Sequence, residues 1–166
     1  MTLIFIYLFV ILFVLVVLII SASAGVPFLP TNYKRAKQMM DLAEIKTGSR
    51  VVDLGSGAGR LLFLAAARGA TATGYELNPI LCWWTQIMIF LKGYKGKVKI
   101  HCQSLYDADL SNTDVVFTFL LNGPMKKLDN KLFTELPSGA KIVSYLFSIP
   151  NRTPIKKENG IIVYQV

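Results

Sequence analysis

Hydrophobic and polar positions divide this chain into two unlike parts. LIFIYLFVILFVLVVLII fills positions 3–20, eighteen consecutive apolar residues with no polar face. A helix of that length reaches about 27 Å, close to the hydrocarbon thickness of a bilayer. From residue 33 onward the pattern alternates. Positions 33–43 carry Ala36, Met39, Met40 and Ala43 at helical spacing. RVVDL at 50–54 is a short apolar strand, and residues 60–68 form a helix closed by Gly69. A second strand covers 72–76, and Asn78-Pro79 opens a helix that stops before Gly93. Strands over 98–102 and 114–120 precede a helix over 125–136, and strands over 141–146 and 161–166 follow, with a short one near 153–157. Strands separated by helices predict an α/β fold: a doubly wound, mostly parallel sheet covered on both faces. The last strand follows a Gly160 turn with no helix before it, which predicts an antiparallel partner.

The apolar run is read as one N-terminal transmembrane helix. Ala22-Ser23-Ala24 suits a signal-peptidase site, but Met-Thr supplies no basic n-region and the run exceeds a usual h-region. Lys34, Arg35 and Lys37 follow the span, which by the positive-inside rule puts the rest of the chain on the cytoplasmic side. The expected organisation is an anchor at 1–24, a connector and helix at 25–48, and one domain at 49–166. The connector holds Pro27 and Pro30, which keep the span from continuing.

Composition narrows the chemistry. There are 18 Lys+Arg against 10 Asp+Glu, with two cysteines and one histidine. Two cysteines make no disulfide framework, and no zinc or haem ligand set is available. His101 is the only imidazole, so a nucleophile–histidine machine is disfavoured; it reads as a packed residue. Cys82 and Cys102 read as reduced core residues. Trp83 and Trp84 lie in PILCWWTQIMIF, apolar nearly all round, and burial against the sheet is favoured over lipid contact. Lys92, Lys95, Lys97 and Lys99 read as a solvated edge that an anchored protein also turns toward anionic headgroups. Aromatics are not interleaved with them, so no nucleic acid is expected.

The informative stretch is VVDLGSGAGR, residues 51–60. Gly55, Gly57 and Gly59 stand between a strand and a helix, where glycine permits a sharp turn and brings N–H groups close to a ligand. A dinucleotide fingerprint needs a third glycine at position 60, which is Arg60. Asp53, two residues before Gly55, repels a pyrophosphate and suits an ammonium or sulfonium. Glu76 ends the second strand, where a carboxylate accepts ribose hydroxyls.

These residues carry a resemblance. VVDLGSGAGR followed by GYELNP resembles the first two motifs of the class I S-adenosylmethionine-dependent methyltransferases. The set PFLPT, DLGSGAGR, GYELNP and RTP…GIIVYQV is similar to the small membrane-anchored protein-lysine methyltransferases related to the mitochondrial enzyme acting on the c ring protein of ATP synthase. The resemblance implies a Rossmann-like seven-strand fold, S-adenosyl-L-methionine as cofactor and a lysine acceptor in a membrane or membrane-associated protein. Asp53, Gly55, Ser56, Gly57 and Gly59 would then line the methionine end. Glu76 would hold the ribose, with Leu77 against the adenine. The family has an acid after the third strand where this chain has Ser104, leaving Leu105 and backbone amides for part of that contact. Asn122, in Asn122-Gly123-Pro124, loosely resembles the Asn-Pro-Pro-aromatic motif of amino-group methyltransferases and competes with a plain turn residue. A lipid or quinone acceptor, a nicotinamide-dependent oxidoreductase and a non-catalytic nucleotide-binding membrane module are the alternatives. Nothing implies a metal, and oligomeric state is open.

Overall fold

The computed structural model of the chain describes residues 31–166 together with Ile4, Phe5, Tyr7, Leu8, Ile11 and Leu12. Apart from those six positions, which are helical with exposed side chains, the expected span and its exit lie outside the described residues. No helix among the described residues is long and apolar enough to cross a membrane.

Helix α1 (Tyr33–Leu42) leads into β1 (Arg50–Leu54), α2 (Arg60–Ala67), β2 (Thr71–Tyr75), α3 (Pro79–Leu91) and β3 (Val98–His101). A 3-10 turn (Leu105–Asp107), β4 (Val115–Thr118), α4 (Asn122–Glu135), β5 (Lys141–Tyr145), β6 (Lys156–Glu158) and β7 (Ile161–Gln165) complete it. The strands form one seven-stranded sheet in the order β3-β2-β1-β4-β5-β7-β6. The first five run parallel, and β7 runs antiparallel to both β5 and β6. The expected antiparallel closing strand is therefore present. Asn159 and Gly160, both at positive φ, turn β6 into β7 without a crossover helix, as tight hairpins require.

Each face of the sheet carries helices because the strands are apolar on both sides. On one face Ala36, Met39 and Met40 of α1 and Leu62, Ala65 and Ala66 of α2 pack over Val51, Val115, Phe117 and Val143. On the other, Met125, Leu128 and Leu132 of α4 cover Leu54, Val116 and Ile142. The sheet is doubly wound, and α1 is part of its core.

Three expectations are corrected. Helix α4 begins at Asn122 rather than Met125, because Pro124 in a first turn lacks only an N–H that would have no partner. Cys102 follows the last residue of β3 and is exposed, unlike buried Cys82. Trp83 and Trp84 face outward rather than into the sheet, at 66% and 49% exposure. A helix apolar all round still has one inward side, and the turn of α3 gives that side to Cys82, Thr85 and Ile89.

Gly74 on β2 shows how tightly the sheet is covered near its tip. A Cβ there would stand 2.6 Å from Ser56 Oγ and 2.7 Å from Leu62 Cδ1. Gly74→Ala is expected to lower the unfolding free energy by about 1–3 kcal/mol, read from the urea midpoint at constant slope.

Candidate active site

In an open parallel sheet, ligands bind beyond the carboxyl ends of the strands where the strand order reverses. Here that point lies at β1, between β2 and β4. β1 delivers Asp53 there, in register with Gly74 on one side and Phe117 on the other. Asp53 is 4% exposed, and no cation pairs with it among the described residues. Burial pushes its carboxyl up to about 8, and the neighbouring Glu76 charge adds to the rise.

The loop after β1 takes left-handed backbone at Gly55, Gly57 and Gly59, with φ of 86°, 54° and 77°. At Gly59 a side chain is excluded twice over, since a Cβ would also lie 2.9 Å from Thr85 Cγ2. Most of the loop's amides turn inward. Gly55 N and Ser56 N donate to Tyr75 O at 2.9 and 3.1 Å, and Gly59 N donates to Ser56 O at 2.9 Å. Gly57 N donates to Glu76 Oε2 at 2.9 Å. The expectation that these N–H groups face a ligand is corrected at all four positions. Loop amides pointing into the protein, beside a buried acid, make a poor phosphate cradle and a good wall for a cation.

Glu76 is the bracket of the site. Its other oxygen, Oε1, accepts from Asn78 N at 2.8 Å, so one carboxylate joins the glycine loop to the start of α3. Asn78 caps that helix, its Oδ1 accepting from Ile80 N at 3.0 Å. The Thr85 hydroxyl donates to Gly57 O at 3.3 Å, and the Cys82 thiol donates to Glu76 O at 3.2 Å. Burial, with the Cys102 thiol beside it, pushes the Cys82 thiol up to about 12, so it stays a protonated donor. Sequence reasoning missed Thr85 and Cys82 as supports. Their signal was the i, i+3 spacing of two small polarisable side chains in an otherwise large apolar helix.

Asp53, Ser56, Gly57 and Glu76 are thus brought together. Leu77 follows Glu76 and is exposed. Ser104 Oγ accepts from Tyr106 N at 3.3 Å, capping the 3-10 turn, while the Leu105 side chain enters the core beside Leu54 and Tyr75. Leu105 therefore has only its backbone to offer a ligand. Asn122 is exposed in the first turn of α4, away from the Glu76 network's hydrogen bonds. His101 stacks on Tyr75 with ring centroids 5.1 Å apart, the packed role expected of it.

The model of one protein family, the ANTKMT methyltransferase domain, matches residues 53–156, beginning at Asp53 itself. The chain belongs to that methyltransferase family. It is 34% identical over 128 residues to the Homo sapiens lysine N-methyltransferase of the ATP synthase c ring protein, covering 77% of this chain and 54% of that protein. It is 33% identical over 140 residues to a protein-lysine N-methyltransferase of Saccharolobus islandicus, covering 81% and 87%. The chain spans little more than half the length of the human relative. A solved RNA methyltransferase from Salinibacter ruber, in complex with S-adenosyl-L-homocysteine, superposes with a TM-score of 0.77 at 31% identity, over 82% of this chain and 91% of that one.

The cofactor of this family is S-adenosyl-L-methionine, and the residues present fit it. A buried acid without a cation suits the ammonium and sulfonium of the methionine end. Ser56 Oγ is buried with no hydrogen-bond partner among the described residues, an arrangement that costs stability unless a polar ligand group answers it.

The sign of the Asp53 linkage follows from its direction. An acid held at about 8 when folded and at about 3.9 when unfolded binds its proton more tightly in the native state. Its contribution is complete below about pH 4 and is lost as pH rises toward 8. In the ligand-free protein the melting temperature is expected to fall over that window, and Asp53→Asn is expected to flatten the fall. A cation binding beside Asp53 displaces the proton, so affinity for S-adenosylmethionine should rise with pH up to about 8. Asp53→Asn should weaken that binding by about 1.5–3 kcal/mol and remove its pH dependence, both read by calorimetry. A mutant and wild type with parallel pH profiles would refute the assignment.

Proposed function

We propose that this chain transfers a methyl group from S-adenosylmethionine to the side-chain amine of a lysine in a membrane or membrane-associated protein. The observation that carries the reading is the pairing of buried Asp53 with half-buried Glu76 at the tips of β1 and β2, in a chain of the methyltransferase family. When bound, the cofactor supplies a methyl group on a cationic sulfur for one in-line displacement. The chain's own residues position and desolvate the reactants. Asp53 binds the cationic end, Glu76 holds the ribose while fixing Gly57, and Leu77 lies against the base.

The acceptor side falls at the ends of β4 and β5. Phe119 meets Tyr145 edge-on at 4.9 Å between centroids and stacks on Phe147 at 6.2 Å, all three half-buried. Such a wall takes the lysine's alkyl stem and disfavours its charged form, which must lose a proton before attack. Asn122, three residues after Phe119, is the candidate for orienting the amine. Alignment and water exclusion supply several kcal/mol of the barrier without a covalent intermediate.

The apolar run at 3–20 is proposed as a single-pass anchor, with the domain on the cytoplasmic side where Lys34, Arg35 and Lys37 lie. Its support is the length of the run and the six described side chains within it, all exposed and all apolar.

Mass spectrometry of membrane proteins from cells with and without this protein is expected to find 14 Da increments, roughly one per methyl added, on lysine in the first set alone. Label that entered the organic phase instead would point to a lipid or quinone acceptor. Asp53→Ala with Glu76→Ala should abolish transfer, whereas Asn122→Ala should lower kcat by about 10–100-fold with cofactor affinity unchanged. Alkaline extraction that freed the protein from membranes would refute the anchor and leave the enzyme reading standing.

A further inference from the structure

Helix α3 buries Cys82, Thr85 and Ile89 and turns the opposite side outward. In a water-soluble helix that side is polar. Here Ile80, Trp83, Trp84, Phe90 and Leu91 are exposed, with half-buried Ile87 between them. Phe90 is 76% and Leu91 68% exposed. Their spacing of three, four and seven residues makes one continuous stripe along the helix. Contiguous exposed apolar surface of this kind marks an interaction site rather than ordinary scatter.

Charge names the partner. From Leu77 to Tyr106, thirty residues contain four lysines and no Asp or Glu. Lys92, Lys95, Lys97 and Lys99 follow directly from the stripe, all are exposed, and none pairs with a carboxylate among the described residues. An apolar, tryptophan-bearing face bordered by unopposed lysines is the composition that settles into the headgroup region of an anionic bilayer. We infer that α3 docks on the surface of an anionic lipid bilayer through this stripe, with the lysines on the headgroups.

The position of α3 gives the docking a purpose. Its N-terminal cap is bound to Glu76, so the stripe starts at the rim of the candidate active site. Arg60 Nη1 donates to Thr31 O, which holds the incoming chain beside the glycine loop and hence beside Thr85 of α3. The eleven Cα steps from Ile20 to Thr31 span at most about 40 Å. The inference rests in part on the anchor: the run at 3–20 keeps the domain near lipid, and α3 fixes which way the site faces. A lysine at the bilayer interface would then meet the site directly.

The only two tryptophans of the chain are Trp83 and Trp84, so fluorescence reads this face alone. The full-length protein is floated with vesicles of phosphatidylcholine, or of two parts phosphatidylcholine to one part phosphatidylglycerol, each with acyl chains brominated near the headgroup. Docking predicts a blue-shifted emission quenched by the bromines, more strongly in the anionic vesicles. Lys95→Gln and Lys97→Gln should each lower the ratio of docked to undocked protein about fivefold there. Protein that floats with neutral vesicles but is never quenched would overturn the docking and leave the anchor intact. Protein that fails to float with neutral vesicles yet is quenched by anionic ones would overturn the anchor and leave the docking intact. A blue shift indifferent to bromine and to lipid charge would overturn the docking in favour of a protein occupant, a second copy or the N-terminal segment.

Discussion

The Glu76 carboxylate is the constraint on which the candidate site depends. One oxygen holds the Gly57 amide and the other the Asn78 amide, so the first loop and the third helix share a single anchor. Thr85 grips the same Gly57 residue from its carbonyl side. Without these contacts a loop with three left-handed glycines would have many alternative shapes, because glycine gives the backbone its freedom and takes none away. The acid therefore has two duties, structural within the protein and polar toward a ligand.

The same arrangement explains why the site selects positive charge. A carboxylate that approaches a second, buried carboxyl raises the cost of ionising it. Asp53 and Glu76 sit at adjacent strand ends with no lysine or arginine paired to Asp53 among the described residues. The protein tolerates this cost at one place, at the carboxyl edge of the sheet, where a cationic ligand removes it. Inward-turned amides at Gly55, Ser56, Gly57 and Gly59 take away the donors that an anion would need.

Much of this was legible beforehand. Helical spacing located α1 and α2, Asn78-Pro79 marked the start of α3, and the Gly160 turn foretold the antiparallel closing strand. The cofactor acids were legible because their chemistry depends on local position: Asp53 and Glu76 lie at the ends of their strands whatever packs around them. The directions of the loop amides were not, since each hydrogen bond depends on where β2 and α3 come to rest. Nor was the outward face of α3. A helix apolar on every side contains no instruction about which side meets the sheet.

The sequence by itself determined the alternation of strands and helices, the acids at the strand tips, the glycines that bend the loop and an apolar run long enough for a bilayer. These follow from periodicity, from backbone freedom and from length, all properties of neighbouring residues. Only the tertiary structure decided that Glu76 would clasp Gly57, that Thr85 would support it from the other side, and that two tryptophans would look outward. Those outcomes join residues 19 and 28 positions apart or choose between equally apolar faces, and such choices are made by packing against the completed sheet.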